Sequence, residues 1–317
     1  MSVLVVCNDP IRDPGIALVE AALARRNVSL EFLRADLFPV DTTLTVLLNG
    51  ESRPSRWLHG VQSIWLRHAD PGASLPPDLR ADVAVAITEQ AMNALSTLLA
   101  EADVPVFDHP DTLALAPIKP RQLAIARRVG LRTPRTMLSN DAGALRAFAA
   151  ECQAGLVTKM IESVPVHAVV DGAEVGGLTR AVTDEDLRDE ASLAMCPMIF
   201  QERIRKVRDW RVTVVADRVF PAVVRAGDVL DWRSDRGLIA GFEAASLPAE
   251  VEQKLLDYCS RVGVQFAAFD LVEDREGALW FIEANTTAYF HFVEQATGQP
   301  ISSAIAALLV GELEPRP

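Results

Sequence analysis

Two apolar stretches near the C-terminal end, FAAFDLV (266–272) and WFIEAN (280–285), each carry an acidic residue where the interior of a strand ordinarily excludes one. The intervening EDREGAL holds turn formers around Gly277, so the spacing predicts an antiparallel hairpin with Asp270 and Glu283 nearly opposite each other. Side chains alternate along a strand, which puts Asn285 on the same face as Glu283 and adds a third oxygen. Like charges at cross-strand distance repel and lose hydration, so a positive group must sit between them. A hard cation such as Mg²⁺ or Mn²⁺ meets that need, and so does an arginine or lysine; the local pattern leaves both open.

The chain has 317 residues, half of them apolar, enough for two or three domains with buried cores. Its formal net charge of −12 argues against a nucleic-acid partner, because no basic stripe offsets it. It does not exclude polyphosphate held by a few well-placed lysines and arginines. The opening MSVLVVCND has no basic leader, and no apolar run is expected to reach the ~20 residues of a membrane span, so a cytoplasmic protein without a membrane partner is expected. Four scattered cysteines (Cys7, Cys152, Cys196, Cys259) fit neither a disulfide framework nor a zinc site and are expected to pack in cores.

Residues 3–7, 15–26 and 28–36 predict strand, helix and strand, the opening of a parallel α/β sheet. The loop after the first strand, CNDPIRDPG, has a single glycine, so no dinucleotide fingerprint is present. Further strands are expected at TLTVLLNG (43–50), SIWLRHAD (63–70) and PVFDHP (105–110), with a long amphipathic helix over 78–102. Three domains follow, 1–112, 113–197 and 198–317. The second holds helices, the strand GLVTKMI (155–161) and a hairpin candidate over 165–182. PMIFQERI, WRVTVVAD and VFPAVVRAG are spaced as an antiparallel meander before a helix, the acid-bearing hairpin and the closing helix 301–311.

Lys159 lies in an apolar strand, where an ammonium either meets a phosphate or carboxylate or reaches water along an edge. Lys119 precedes QLAIARRVG, near a helix N-terminus that favours anions; a solvated loop lysine reads the same. In FQERIRKVRDWRV, Glu202 ends one strand and Asp209 begins the next, so a carboxylate there can accept a ribose hydroxyl, or the segment is a charged loop. Arg225 and Arg233 supply planar guanidinium groups suited to phosphate, whereas Trp232 reads as core. His291 stands between aromatics, as a packing residue or a proton acceptor.

The order of these features resembles the ATP-grasp ligases: two spaced lysines, FQE, D-x-R, DWR, a strand Asp and E-x-N. RADLFP (34–39), IWLRHAD (64–70), 118–141, 200–224, DWR (231–233), FAAFDLV, FIEAN and FVEQATGQPI (292–301) are similar to the subgroup that cross-links ribosomal peptides, the microviridin-type or graspetide synthetases. The resemblance implies an ATP-grasp fold behind an N-terminal parallel-sheet domain. It implies that Lys119 and Lys159 hold ATP phosphates, that the backbone of Glu202 and Arg203 meets adenine and that Asp209 meets ribose. It further implies that Arg211 and Arg233 act at the reacting end, and that Asp270, Glu283 and Asn285 hold Mg²⁺. After E-x-N those synthetases have a glycine-containing turn and a tryptophan, whereas this chain has TTAYFHF (286–292), so the resemblance names no acceptor pocket.

The expected chemistry is ATP-dependent activation of an Asp or Glu side chain of a precursor peptide as an acyl phosphate, then attack by Ser, Thr or Lys of the same peptide. The acidic segment 164–193 is the expected seat of the peptide's leader, with a solvated cover as the alternative. A ligase that adds free amino acids and a non-catalytic nucleotide- and peptide-binding module are the rival readings, and a homodimer is left open.

Overall fold

The computed structural model describes residues 1–45, 56–161, 168–170, 173–175, 179–227, 229–232 and 236–315. Most of the strand expected over 43–50 therefore lies outside the described residues.

The first sheet is parallel, in the order β2 (Ser29–Arg34), β1 (Ser2–Cys7), β3 (Val61–Leu66), β4 (Val106–Phe107). β1 is buried at all its positions, as a central parallel strand covered on both faces must be. Helix α1 (Pro14–Ala24) starts where the Asp13 carboxylate accepts the Gly15 amide at 3.0 Å and Pro14 supplies a preset φ. Helix α2 (Ala81–Ala100) buries Ala91, Leu95, Leu98 and Leu99 against this sheet. Contrary to the sequence expectation, α2 has the length and apolar composition of a membrane-crossing helix, with a mean hydropathy of 1.2. Its Ala-rich composition raises the hydropathy without bulk, and a helix packed on one face of a core passes the same test.

The second unit runs through α3 (Pro110–Leu115), α4 (Lys119–Arg128), β5 (Thr136–Ser139), α5 (Ala142–Glu151), β6 (Leu156–Lys159), β7 (Ala168–Val170), β8 (Ala173–Val175), β9 (Arg180–Ala181), α6 (Glu190–Met195) and β10 (Met198–Glu202). Its sheet has the order β5-β10-β6-β9, and β7 pairs with β8 as the expected small antiparallel hairpin.

The third unit holds β11 (Lys206–Val215), β12 (Arg218–Val224), α7 (Arg236–Ile239), β13 (Glu243–Ala244), α8 (Ala249–Val262), β14 (Phe266–Asp274), β15 (Leu279–Asn285), α9 (His291–Thr297) and α10 (Ile301–Leu309), with sheet order β13-β12-β11-β14-β15. The expected meander is corrected here: β10 belongs to the second sheet, and Arg203–Ile204–Arg205 carries the chain across to the third. Alternation along β11 sends Trp210, Val212 and Val214 into a core with α8, Leu123, Phe269 and Phe281, and leaves Asp209, Arg211 and Thr213 on the opposite face. α10 is buried nearly all round because it lies between the first and third sheets, where Ile301, Ile305 and Leu308 share one core with Val3, Val5, Phe220 and Phe266. Cys7, Cys152 and Cys259 pack in cores as expected; Cys196, just past α6, is exposed.

Candidate active site

β14 and β15 pair in the register read from the sequence, with Asp270 opposite Glu283 and Ala268 opposite Asn285. The turn between them is built by Asp274, whose Oδ1 accepts the amides of Glu276 and Ala278 while Gly277 adopts φ +80°. Just past Asp270 a bulge shifts the register, so that Leu271 faces Phe281 and the acidic pair stands at the break.

The three oxygen-bearing side chains converge. The Asn285 amide donates to Glu283 Oε1 at 3.1 Å and to Asp270 Oδ2 at 3.4 Å. Arg211, opposite Asp270 on β11, donates from Nη1 to both carboxylate oxygens at 2.9 and 3.0 Å, and Lys119 Nζ stands 4.0 Å from Glu283. Of the two openings left by the sequence, the basic side chain is present as Arg211 on Asp270, with Lys119 near Glu283. Among the described residues no group of three His, Cys, Asp or Glu side chains could hold a metal ion, because the third member here is an amide. Two carboxylates and an amide carbonyl fit a hard divalent cation once the Asn285 amide turns its oxygen inward.

Above this floor lies a cleft between the second and third sheets, lined by Lys159, Glu202, Arg203, Lys206, Asp209, Asp231, Trp232, Asp270 and Glu283 among others. Lys159 ends β6 and is 7% exposed, so it is no edge lysine reaching water. Asp209 is buried and Lys206 Nζ donates to its Oδ1 at 2.6 Å, while its Oδ2 has no hydrogen-bond partner. Burial outweighs Lys206 and pushes the Asp209 carboxyl above the usual carboxylate range. A buried, unmatched oxygen in a cleft is an acceptor waiting for a hydroxyl.

At the crossing, the Glu202 amide donates to Arg135 O and the Arg203 amide to Gly155 O, so both are already used by the fold. The carbonyl oxygens of Glu202 and Arg203 and the amides that follow are what this backbone could offer an adenine edge. Trp232 packs in the core against Phe242 and Phe292, as its sequence reading had it, with the Arg211 guanidinium 6.0 Å from its ring centre. Arg233 lies outside the described residues, and Arg225 is exposed. His291 is half-buried at the start of α9, with burial holding its pKa below the ordinary imidazole value.

Two contributors escaped the sequence reading. Lys206 sat in an undifferentiated basic run, and only its buried bond to Asp209 singles it out. Gln122 is 3% exposed; its Nε2 donates to Ala284 O at 2.8 Å and its Oε1 accepts the Ala284 amide at 3.0 Å, which docks α4 on the residue between Glu283 and Asn285.

The model of the RimK-like ATP-grasp domain matches residues 117–309, more than half of the chain. The chain belongs to the RimK-like ATP-grasp family. Its fold is the α/β ATP-grasp fold behind a parallel N-terminal sheet, and its class is that of the ATP-dependent ligases. Among solved structures it is similar to the macrocyclase MdnC of Microcystis aeruginosa bound with precursor peptide MdnA, at 27% identity and a TM-score of 0.86 over 98% of this chain and 100% of that one. It is also similar to the ATP-grasp ligase PsnB complexed with minimal precursor, Mg and ADP, at 25% identity and a TM-score of 0.75 over 99% and 97% of the two chains. Beta-citrylglutamate synthase B of Danio rerio is 25% identical over 122 residues, 38% of this chain, and the match spans only 30% of that protein's length.

Proposed function

We propose that this ATP-grasp ligase activates Asp or Glu side chains of a ribosomal precursor peptide as acyl phosphates and joins them to Ser, Thr or Lys of the same peptide. The observation that carries this reading is the end-to-end likeness to a peptide macrocyclase, N-terminal sheet included, at 27% identity. ATP would lie in the cleft between the second and third sheets, its ribose hydroxyl on the unmatched Asp209 oxygen and its phosphates toward Lys159 and Lys119. Asp270, Glu283 and Asn285 would hold Mg²⁺, which when bound neutralises charge on the transferred phosphoryl group.

The chain's own residues do the remainder. Arg211, fixed over Asp270, keeps a guanidinium at the edge of the phosphate path without a side-chain search. Arg233, next along the chain from the buried Trp232, is assigned to the same end of the cleft by its place in the DWR motif. The buried Lys159 ammonium would offset phosphate charge. No protein nucleophile enters, because the acyl phosphate forms on the substrate and is opened by the substrate. The leader is assigned to 164–193, whose described residues include the β7–β8 hairpin, Thr179 in the cleft lining and the acidic turn before α6.

The test is to incubate the protein with ATP, Mg²⁺ and synthetic peptides that carry Thr or Ser together with Asp or Glu, any such short reading frame found beside the gene being the first choice. Loss of one water per ring, with matching ADP release, is the expected outcome. A mass gain of whole free amino acids would point to an amino-acid-adding ligase instead, and ADP release without either change would remove the peptide reading.

A further inference from the structure

A second cleft, of about 610 Å³, opens at the C-terminal ends of β1 and β3. The strand order β2-β1-β3-β4 makes the gap between β1 and β3 the point where successive connections leave in opposite directions, and parallel sheets bind ligands outside that point. Asn8 and His68 flank the gap, joined where the Asn8 amide donates to His68 O at 2.6 Å. The far wall is the segment that follows Asn285. Arg67 donates to Ala288 O at 3.3 Å, and the Tyr289 ring lies 4.8 Å from that of His68. The stretch 286–292 follows Asn285 directly and brings Tyr289, four residues on, to the lining of this cleft. It is also where the sequence leaves the peptide-cross-linking pattern.

The buried charges in the cleft are paired, whereas two buried ring nitrogens are not hydrogen-bonded. Asp13 is held by Arg67 at 2.5 Å with both side chains almost wholly buried, and Asp36 is held by Arg34 at 2.7 Å, so the less exposed acids are occupied. His68 Nε2 is sealed from solvent without a hydrogen-bond partner, and so is Nδ1 of His291, whose ring follows that of Tyr289 at 6.1 Å. Burial and the adjacent Arg67 push the His68 pKa down to about 4 against the weaker pull of Asp13, so the ring is neutral at physiological pH. A neutral imidazole lacking a partner takes a hydroxyl, which both donates and accepts. An ammonium would find no unmatched buried carboxylate here.

We infer that this cleft seats the attacking Thr or Ser side chain of the peptide, with His68 as the acceptor of its hydroxyl proton and the product an ester. The assignment rests on the peptide-ligase reading above. In the step, the hydroxyl oxygen bonds to the acyl carbon, the carbon–oxygen bond to phosphate breaks, phosphate leaves with the electron pair, and the hydroxyl proton passes by way of the imidazole to the departing phosphate, the stronger base. Tyr289, 40% exposed over His68, must turn aside to admit the side chain, and His291 lies behind it as a second neutral partner.

The experiment separates activation from attack. Wild type, His68→Gln and the double variant His68→Gln/His291→Gln are given ATP, Mg²⁺ and the synthetic Thr/Ser- and Asp/Glu-bearing peptide that wild type cyclises, with and without hydroxylamine, which intercepts acyl phosphate from solution as the hydroxamate. The expected result is ring formation at least tenfold slower in His68→Gln and slower still in the double variant, with hydroxamate formation within twofold of wild type. The wild-type ring should open in mild alkali, as an ester does. Ring formation within twofold of wild type overturns the inference, as does an alkali-stable amide ring. A parallel fall of ring and hydroxamate, the mark of a merely structural role, overturns it as well. If wild type adds free amino acids and closes no ring, the peptide reading itself fails and the cleft loses its ligand with it.

Discussion

Gln122 grips both backbone groups of Ala284, the residue between Glu283 and Asn285, and so ties the first turn and a half of α4 to the strand that presents the two oxygen ligands. The same helix begins with Lys119, 4.0 Å from Glu283, so the amide sets the distance between that cation and its acid. Gln122→Leu leaves the Ala284 amide without its side-chain partner and is expected to cost about 1–3 kcal/mol of stability. Turnover should fall further than that loss explains at a temperature where the variant is folded. Denaturant melts and ADP release on the same samples check both; turnover equal to wild type would make Gln122 a plain core residue.

Glu283→Gln with Asn285→Ala removes oxygen ligands without opening a core, since both side chains line the cleft face of β15 while Phe281 and Ala284 pack behind it. Peptide-dependent ADP release is expected to drop below a hundredth of wild type, with a melting temperature within a few degrees. ADP release at the wild-type rate would remove the metal assignment.

Lys159 is buried and lines the cleft between the second and third sheets. Lys159→Met keeps the length of the side chain and removes its charge, so affinity for a non-hydrolysable ATP analogue should fall by roughly ten- to a hundredfold with little change in stability. Calorimetry reads this directly, and unchanged affinity would make the lysine structural.

The acidic turn before α6 divides into two roles. Asp186 accepts from Arg180 at 2.7 and 2.8 Å and from the Thr183 amide, and the Arg180 guanidinium holds its carboxyl well below the usual range, so it shapes the turn. Asp184 and Glu185 are exposed. Reversing only these two to lysine should weaken binding of the full-length precursor several-fold at low salt, less at moderate salt, and leave ATP affinity unchanged. Equal precursor affinity at both salt concentrations would remove the leader assignment.

His68 gives a pH signature. Its folded pKa of about 4 lies below its ordinary value of 6.5, so as pH falls the unfolded chain takes up the proton first. Its contribution is fully present above pH 6.5 and is lost progressively between 6.5 and about 4, by on the order of 1–3 kcal/mol. Denaturant titrations at pH 7 and pH 5 should show this slope in wild type and a flatter one in His68→Gln. Identical slopes would mean that His68 charges freely in the folded state.

The sequence by itself determined the parts in which one strand carries its own evidence. The hairpin with Asp270 opposite Glu283 was legible because strand alternation and a glycine turn fix a register. The parallel opening was legible from the spacing of β1, α1 and β2. Lys159 was conspicuous because an ammonium within an apolar strand has few explanations.

Only the tertiary structure decided what depends on segments far apart in the chain. Spacing made β10 and β11 neighbours in one meander, yet the short crossing at 203–205 sends them to different sheets, because β10 finds its partners in β5 and β6. Gln122 reaches Ala284 across 162 positions, and no pattern local to either residue announces that contact. His68 and Tyr289 meet because the segment after Asn285 folds back over the first sheet. Periodicity reports which face of an element is buried, whereas the partner that buries it is chosen by packing among all the elements at once.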